Sequence, residues 1–267
     1  MDLGLNNRVA VVTGGSMGIG FAIAEALARE GAQVVITARN QNTLDQAVSK
    51  IEKIGGIVSG FSADATVPED AQNAINFAVK TYGKLDILIN NVGGAINYGA
   101  FQELSISDWS KCFELNVLSM VNFVNAAEQH LLKGENKRII TISSIQAVQP
   151  GFFNPHYSAM KAATLNLSKH LSQIYADKGI RVSTVCPGPV VSDAWEKNII
   201  KEAEDAGISY DQANIMIDER ERAKIPLGRV GNGDDIGPLV AFLASDRADW
   251  ITGSCFHVNG GKLAGFS

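Results

Sequence analysis

The chain has 267 residues and a formal net charge of -5. At roughly 150 residues per domain that is between one and two domains, and the even strand-helix pattern below reads as one, spanning 1–267. Hydrophobic residues make up 46% and charged residues 19%, with no Lys/Arg run, which excludes a nucleic-acid binder and a disordered chain. The longest apolar runs are about five residues, against the ~20 that cross a bilayer, so no membrane partner is expected. The start, Met1-Asp2-Leu3, carries no basic and apolar leader, so no secretory signal is expected. Cys112, Cys186 and Cys255 are odd in number and widely spaced, without a CxxC or zinc spacing. They predict three reduced thiols, a cytoplasmic protein and no bound metal.

In chain order, short apolar runs predict strands at 9–13, 34–37, 57–61, 87–89, 139–142, 182–185 and 256–258. Each is apolar throughout, as in a parallel sheet buried on both faces. Helical stretches fall between them: 18–30 (stopped by Gly31), 42–54, 68–82 (Pro at its start, Gly83 at its end), 107–132 and 155–177. This alternation predicts a Rossmann-type, doubly wound, seven-stranded parallel sheet with helices on both faces. Ligands of such sheets bind beyond the carboxyl ends of the strands. The interval 189–224 lacks a buried-strand run and is charged and amphipathic. It reads as a helical flap over the site.

Thr13-Gly14-Gly15-Ser16-Met17-Gly18-Ile19-Gly20 follows the first strand and opens the first helix. Glycines there permit a tight turn and close backbone approach to a pyrophosphate at a helix N-terminus. The spacing, three residues then one between Gly14, Gly18 and Gly20, is not the common dinucleotide fingerprint. The second strand ends in Ala38-Arg39-Asn40. No carboxylate stands there to bond a ribose 2′-hydroxyl, whereas Arg39 can meet a 2′-phosphate, which points to NADP(H). Asp64-Ala65 follows the third strand and Asn90-Asn91-Val92-Gly93 the fourth, where a cofactor would pass. In Tyr157-Ser158-Ala159-Met160-Lys161 a phenol and an ammonium share one helical face. Ser144 ends the fifth strand, and Asn116 lies on the preceding long helix.

Together these motifs resemble the short-chain dehydrogenase/reductase family, and its 3-oxoacyl reductase-like members in particular, over about residues 5–262. The resemblance implies an NADP(H)-dependent oxidoreductase, a carbonyl reductase or alcohol dehydrogenase, interconverting a ketone and a secondary alcohol. It implies Tyr157 as general acid/base, Ser144 bonding the substrate oxygen, Lys161 assisting Tyr157 and bonding the nicotinamide ribose, and Asn116 holding a water that links Lys161 to solvent. Moving a tyrosine from about 10 to near 7 takes roughly 4 kcal/mol, expected here from Lys161 and an oxidised nicotinamide. Pro187-Gly188-Pro189-Val190-Val191-Ser192 resembles the segment that lines the nicotinamide, with Val190 and Ser192 bonding its carboxamide. Val92 and Asn259 depart from the family's usual Ala and Asp.

The substrate pocket is expected from 94–98, 145–154 and the flap, with Gln146, Phe153 and Trp195 touching substrate, and Ile96, Val148, Phe152 and His156 nearby. That apolar lining suits a neutral carbonyl or secondary alcohol as the small-molecule partner. A 3-oxoacyl thioester is the alternative substrate, although Gln129 is neutral where carrier-protein users tend to carry Arg. A non-catalytic NADP-binding protein is a third reading, opposed by the intact Asn116/Ser144/Tyr157/Lys161 set. The resemblance also implies a homotetramer, with a dimer as the smaller possibility, built partly from the long helices.

Overall fold

The computed structural model describes residues 2–265, with the side chains of residues 193 and 194 set aside. Seven strands form one sheet: β1 (Val9–Thr13), β2 (Gln33–Ala38), β3 (Ile57–Ser62), β4 (Ile87–Asn90), β5 (Arg138–Ile142), β6 (Arg181–Pro187) and β7 (Cys255–Val258). Their order is β3-β2-β1-β4-β5-β6-β7, and every pairing is parallel. The central strands are buried on both faces, as their unbroken apolar runs require. The edge strands depart from that expectation: β3 and β7 are largely half-buried, because each has a neighbour on one side only.

Period-2 alternation divides the core in two. Ala10 and Val12 of β1 face Ile23 and Leu27 of α1 (Gly18–Arg29), Leu44 and Ile51 of α2 (Gln41–Lys53), and the C-terminal Val240. Val11 faces the other way, towards Ile75 of α3 (Pro68–Tyr82), Phe123 and Leu171. Helix α3 begins with Pro68 and ends at Gly83, whose φ of +84° is the left-handed conformation glycine adopts without strain.

The long helix expected over 107–132 is interrupted. It comprises α4 (Ile106–Phe113), a π turn (Glu114–Leu118) and α5 (Ser119–Leu131). The side chain of Asn116 sits in that wider turn and donates to the Cys112 carbonyl at 2.8 Å. The next helix, α6 (Pro155–Ile174), carries the Tyr-Lys pair, and Ser143 Oγ of the β5 end donates to the Lys161 carbonyl at 2.9 Å. The interval 189–224 holds two helices: α7 (Asp193–Ala206) packs on α8 (Tyr210–Arg222). A short α9 (Gly237–Ala244) then packs on α1 and leads to β7. Among the described residues no helix is long and apolar enough to cross a membrane.

Candidate active site

Strand order reverses between β1 and β4, so the crevice between their carboxyl ends is open to a ligand. The glycine loop follows β1 there. Gly14 (φ +64°) and Gly18 (φ +56°) hold left-handed conformations, and a Cβ on Gly20 would stand 2.2 Å from the Gly14 carbonyl. Met17 caps α1 without a side-chain hydrogen bond, and the first turn holds no acidic residue. The N–H groups of that turn therefore face the crevice without a protein carboxylate, which suits a phosphate. Ser16 and Ile19 are half-buried beside them.

Asn91 pins the two loops together. Its Nδ2 donates to the carbonyls of Thr13 and Gly14 at 2.9 and 3.2 Å, and its own N–H bonds Thr13 Oγ1 at 2.9 Å. Arg39 is exposed and makes no ion pair among the described residues. Asn40 is spent locally, accepting from the Thr43 N–H at 3.1 Å as the cap of α2. Asp64 accepts from the backbone and hydroxyl of Thr66 at 2.9 and 2.7 Å. Burial pushes its carboxyl up, yet those bonds and the Arg39 charge hold it below the usual range. Ala65 is buried beside it.

The second half of the site converges on Gly93. A Cβ there would lie 2.6 Å from Asn116 Oδ1 and 2.7 Å from Lys161 Nζ, so only glycine admits both groups. Asn116 grips the loop: its Oδ1 accepts from the Gly94 N–H at 3.0 Å, and its Nδ2 donates to the Gly94 carbonyl at 2.9 Å. Lys161 is buried, and Nζ donates to the Ile142 carbonyl at 2.9 Å. Ser144 closes β5, its Oγ accepting from the Gln146 N–H at 3.1 Å. Tyr157 lies close enough to Ser144 for that hydroxyl to oppose the upward shift of its phenol. Gly188 donates to the Val258 carbonyl at 2.9 Å, and a Cβ on it would stand 2.8 Å from Asn259 Cα. Pro187 is the last residue of β6. Val190 buries its side chain in the core, which leaves its backbone for the crevice. Ser192, at the start of α7, lies against the glycine loop, 3.5 Å from where a Gly18 Cβ would be.

The electrostatics correct one expectation. Burial pushes the Tyr157 phenol up to about 12, opposed by the Ser144 hydroxyl. Burial draws the Lys161 ammonium down to about 8, with the Cys186 and Cys112 sulfurs pulling the other way. Lys161 Nζ stands 5.7 Å from the tyrosine ring centre and is held by a carbonyl. The protein's own groups therefore do not lower the phenol.

Two pocket expectations also change. Trp195 is 9% exposed and packs on Ile199, Ala213 and Ile217, inside the flap's own core, so it holds α7 to α8 instead of facing substrate. His156 is fully buried. Its Nε2 lies 2.6 Å from the Ile96 carbonyl and its ring 6.0 Å from the Trp109 ring centre, so it supports the loop from behind. Gln146 stays at the site, its Oε1 accepting from Ser158 at 2.9 Å. Phe152 is 98% and Phe153 64% exposed, at the rim. Three residues beside the tetrad had no role in the sequence reading. Tyr98 raises the neighbouring Tyr157 phenol, Cys112 touches Asn116 at 3.4 Å, and Ser143 ties β5 to Lys161. Helical spacing from Asn116 to Cys112 was the one signal available for them.

A family model described as short chain dehydrogenase matches residues 8–203. The chain is 34% identical over 260 residues to the 3-oxoacyl-acyl-carrier-protein reductase FabG of Escherichia coli, covering 97% of this chain and 98% of that one. It is 32% identical over 260 residues to 2-(S)-hydroxypropyl-CoM dehydrogenase 3 of Xanthobacter autotrophicus, with coverage of 97% and 98%. Among solved structures it resembles L-sorbose reductase from Gluconobacter frateurii, complexed with NADPH and L-sorbose. That match has a TM-score of 0.91 and 31% identity, and it covers 100% of both chains.

Proposed function

Because the chain belongs to the short-chain dehydrogenase/reductase family of oxidoreductases, we propose that it exchanges hydride between NADP(H) and a neutral ketone or secondary alcohol. The observation that carries the reading is the meeting of Asn116 and Lys161 at Gly93, with the Tyr157 ring 5.7 Å from Lys161 Nζ, beside a glycine loop whose helix start is uncapped. Gly14, Ser16, Met17, Gly18, Ile19 and Gly20 would hold the pyrophosphate. Arg39 and Asn40 would lie at the 2′-phosphate, and Asp64, Ala65, Asn91 and Gly93 along the adenosine side. Pro187, Gly188, Val190 and Ser192 would back the nicotinamide. The NADPH in the sorbose reductase structure and the unpaired Arg39 both support NADP(H).

When bound, the nicotinamide supplies or accepts the hydride and, oxidised, carries a positive charge. Tyr157 gives its proton to the developing alkoxide in reduction and takes it back in oxidation. In the free protein burial keeps the phenol protonated, which is the form that donates in reduction. Ser144 Oγ donates to the same oxygen as charge develops on it. Lys161 supplies a fixed ammonium and orients the ribose, and Asn116 holds the loop that keeps Gly93 clear of both. Gln146 and Phe153 would meet the substrate. A 3-oxoacyl thioester is the second reading, favoured by the Escherichia coli relative. A homotetramer built on α4–α6 is proposed too, supported by exposed Phe113, Leu118 and Ile174, and sedimentation would test it.

Fluorescence titration with NADPH and NADH is the direct test. NADPH should bind at least about 10-fold tighter, and Arg39→Ala should erase that margin while leaving NADH unaffected. Equal affinities in the unsubstituted chain would overturn the NADP(H) assignment. Turnover of a panel of ketones and one 3-oxoacyl thioester then separates the two substrate readings.

A further inference from the structure

Three side chains outside this machinery meet on the far edge of the sheet. In the β6–β7 pairing, Thr184 is opposite Cys255 and Cys186 is opposite His257. Residues two apart on a strand share a face, so Cys186, Cys255 and His257 project together. Cys255 Sγ lies 3.3 Å from Cys186 Sγ and 3.8 Å from His257 Nε2, and all three ligand atoms fall within 4.8 Å of one another.

We propose that Cys186, Cys255 and His257 form a site for a soft divalent cation, with Zn²⁺ as the fitting ion. With Zn–S of about 2.3 Å and Zn–N of about 2.0 Å, a tetrahedral ion needs sulfurs about 3.8 Å apart and sulfur to nitrogen about 3.6 Å. The observed separations are about half an ångström from the first and closer to the second. A disulfide would instead draw the sulfurs together to about 2.05 Å, a larger displacement for two strands held in register. Two thiolates, formed by release of two protons, balance the ion's charge and leave the cluster neutral.

The surroundings fit as well. Nothing among the described residues other than Cys255 engages His257 Nε2. A fourth ligand has a place. Cys255 borders a cavity of about 20 Å³ that is also lined by Ser168, which is 2% exposed and whose hydroxyl has no partner among the described residues. That volume holds one water, able to bond Ser168 on the wall that carries Cys255. Lys169, the cation on that wall, is held by the Gly253 carbonyl at 3.2 Å. Bound there, the ion would cross-link β6 to β7 directly behind Ser144.

The test needs no turnover. The full chain, reduced and stripped with a chelator, is titrated with Co²⁺ and then with Zn²⁺. One Co²⁺ per chain is expected, with thiolate-to-metal charge-transfer absorption in the near ultraviolet that Zn²⁺ abolishes. Zn²⁺ should also shield the half-buried Cys255 from alkylation read by peptide mass. Cys255→Ser and His257→Gln should each weaken binding roughly 100-fold or more while preserving the circular dichroism of the fold. Absence of the charge-transfer band, or binding that survives both substitutions, would overturn the site. So would a chain isolated with Cys186 and Cys255 already joined as a disulfide.

Discussion

The two ends of the sheet make opposite use of polar groups. At the amino end, charge is largely consumed internally, with Arg138 Nε the exception among the described residues. Asp86 is fully buried yet accepts from the N–H groups of Val9 and Glu135 at 2.9 and 3.0 Å and faces Lys84 at 3.2 Å. Arg138, 2% exposed, reaches the Ser245 carbonyl and Asp249, both at 3.1 Å. At the carboxyl end, polarity is left over. The start of α1 has no side-chain cap, Arg39 has no ion pair among the described residues, and the buried Asn90 amide has no partner there. One end is finished by the fold and the other by what it binds. Substitutions at the first should cost stability, and substitutions at the second should cost chemistry.

Tyr157→Phe should break the comparison most sharply if it is wrong. It removes one hydroxyl from the open end, so turnover should fall about 10²- to 10⁴-fold while cofactor affinity and melting temperature hold. A melt lowered by many degrees would show that the phenol is structural. Asp86→Ala is its counterpart. Stranding two buried N–H groups and a lysine should cost on the order of 3 kcal/mol, read by denaturant unfolding, with kcat of the folded fraction unchanged. Gly93→Ala lies between the two, because its methyl would press on Lys161 and Asn116 at once. Both stability (about 1–3 kcal/mol) and turnover should drop, and unchanged kinetics would disprove the crowding.

The smallest effect sharpens the boundary. Arg229 grips Asp235 through two bonds of 2.7 and 2.6 Å, and the guanidinium draws that carboxyl down to about 2. A depressed carboxylate stabilises above its unfolded value of 3.8, and the contribution fades as pH falls towards 2. The pair is half-exposed and screened by solvent, so Arg229→Ala should lower the melting temperature only slightly at neutral pH and not at all near pH 2. Melts at the two pH values check it.

What could be read from the chain followed from local patterning. All seven strands and α3, with its Pro68 start and Gly83 stop, announce themselves through apolar runs and breakers. Ser144, Tyr157 and Lys161 stood out because they end a strand or share a helix face. The π turn was not, since Asn116 and Cys112 show ordinary helical spacing in either backbone. Trp195 and His156 looked like pocket residues because an aromatic that packs inward and one that lines a cleft are spelled alike. Only the packing of α7 on α8, and of Trp109 on His156, separates them. In the chain alone burial outweighs Lys161 at the Tyr157 phenol, so the lowering expected there rests on the positive nicotinamide. Cys186 and Cys255 stand 69 residues apart, and parallel pairing alone makes them neighbours.

That pairing also sets an order in time. Gly188 leans on the Val258 carbonyl, and the Leu227 N–H on that of Gly260, at 2.9 and 3.0 Å. The glycine loop, Ser144 and Tyr157 all leave the ribosome well before residue 258. At roughly 5–20 residues per second, a growing chain spends some seconds with the candidate site's groups already emerged and the segment after β6 without backing. Maturation of the site therefore waits on the last strand to be made.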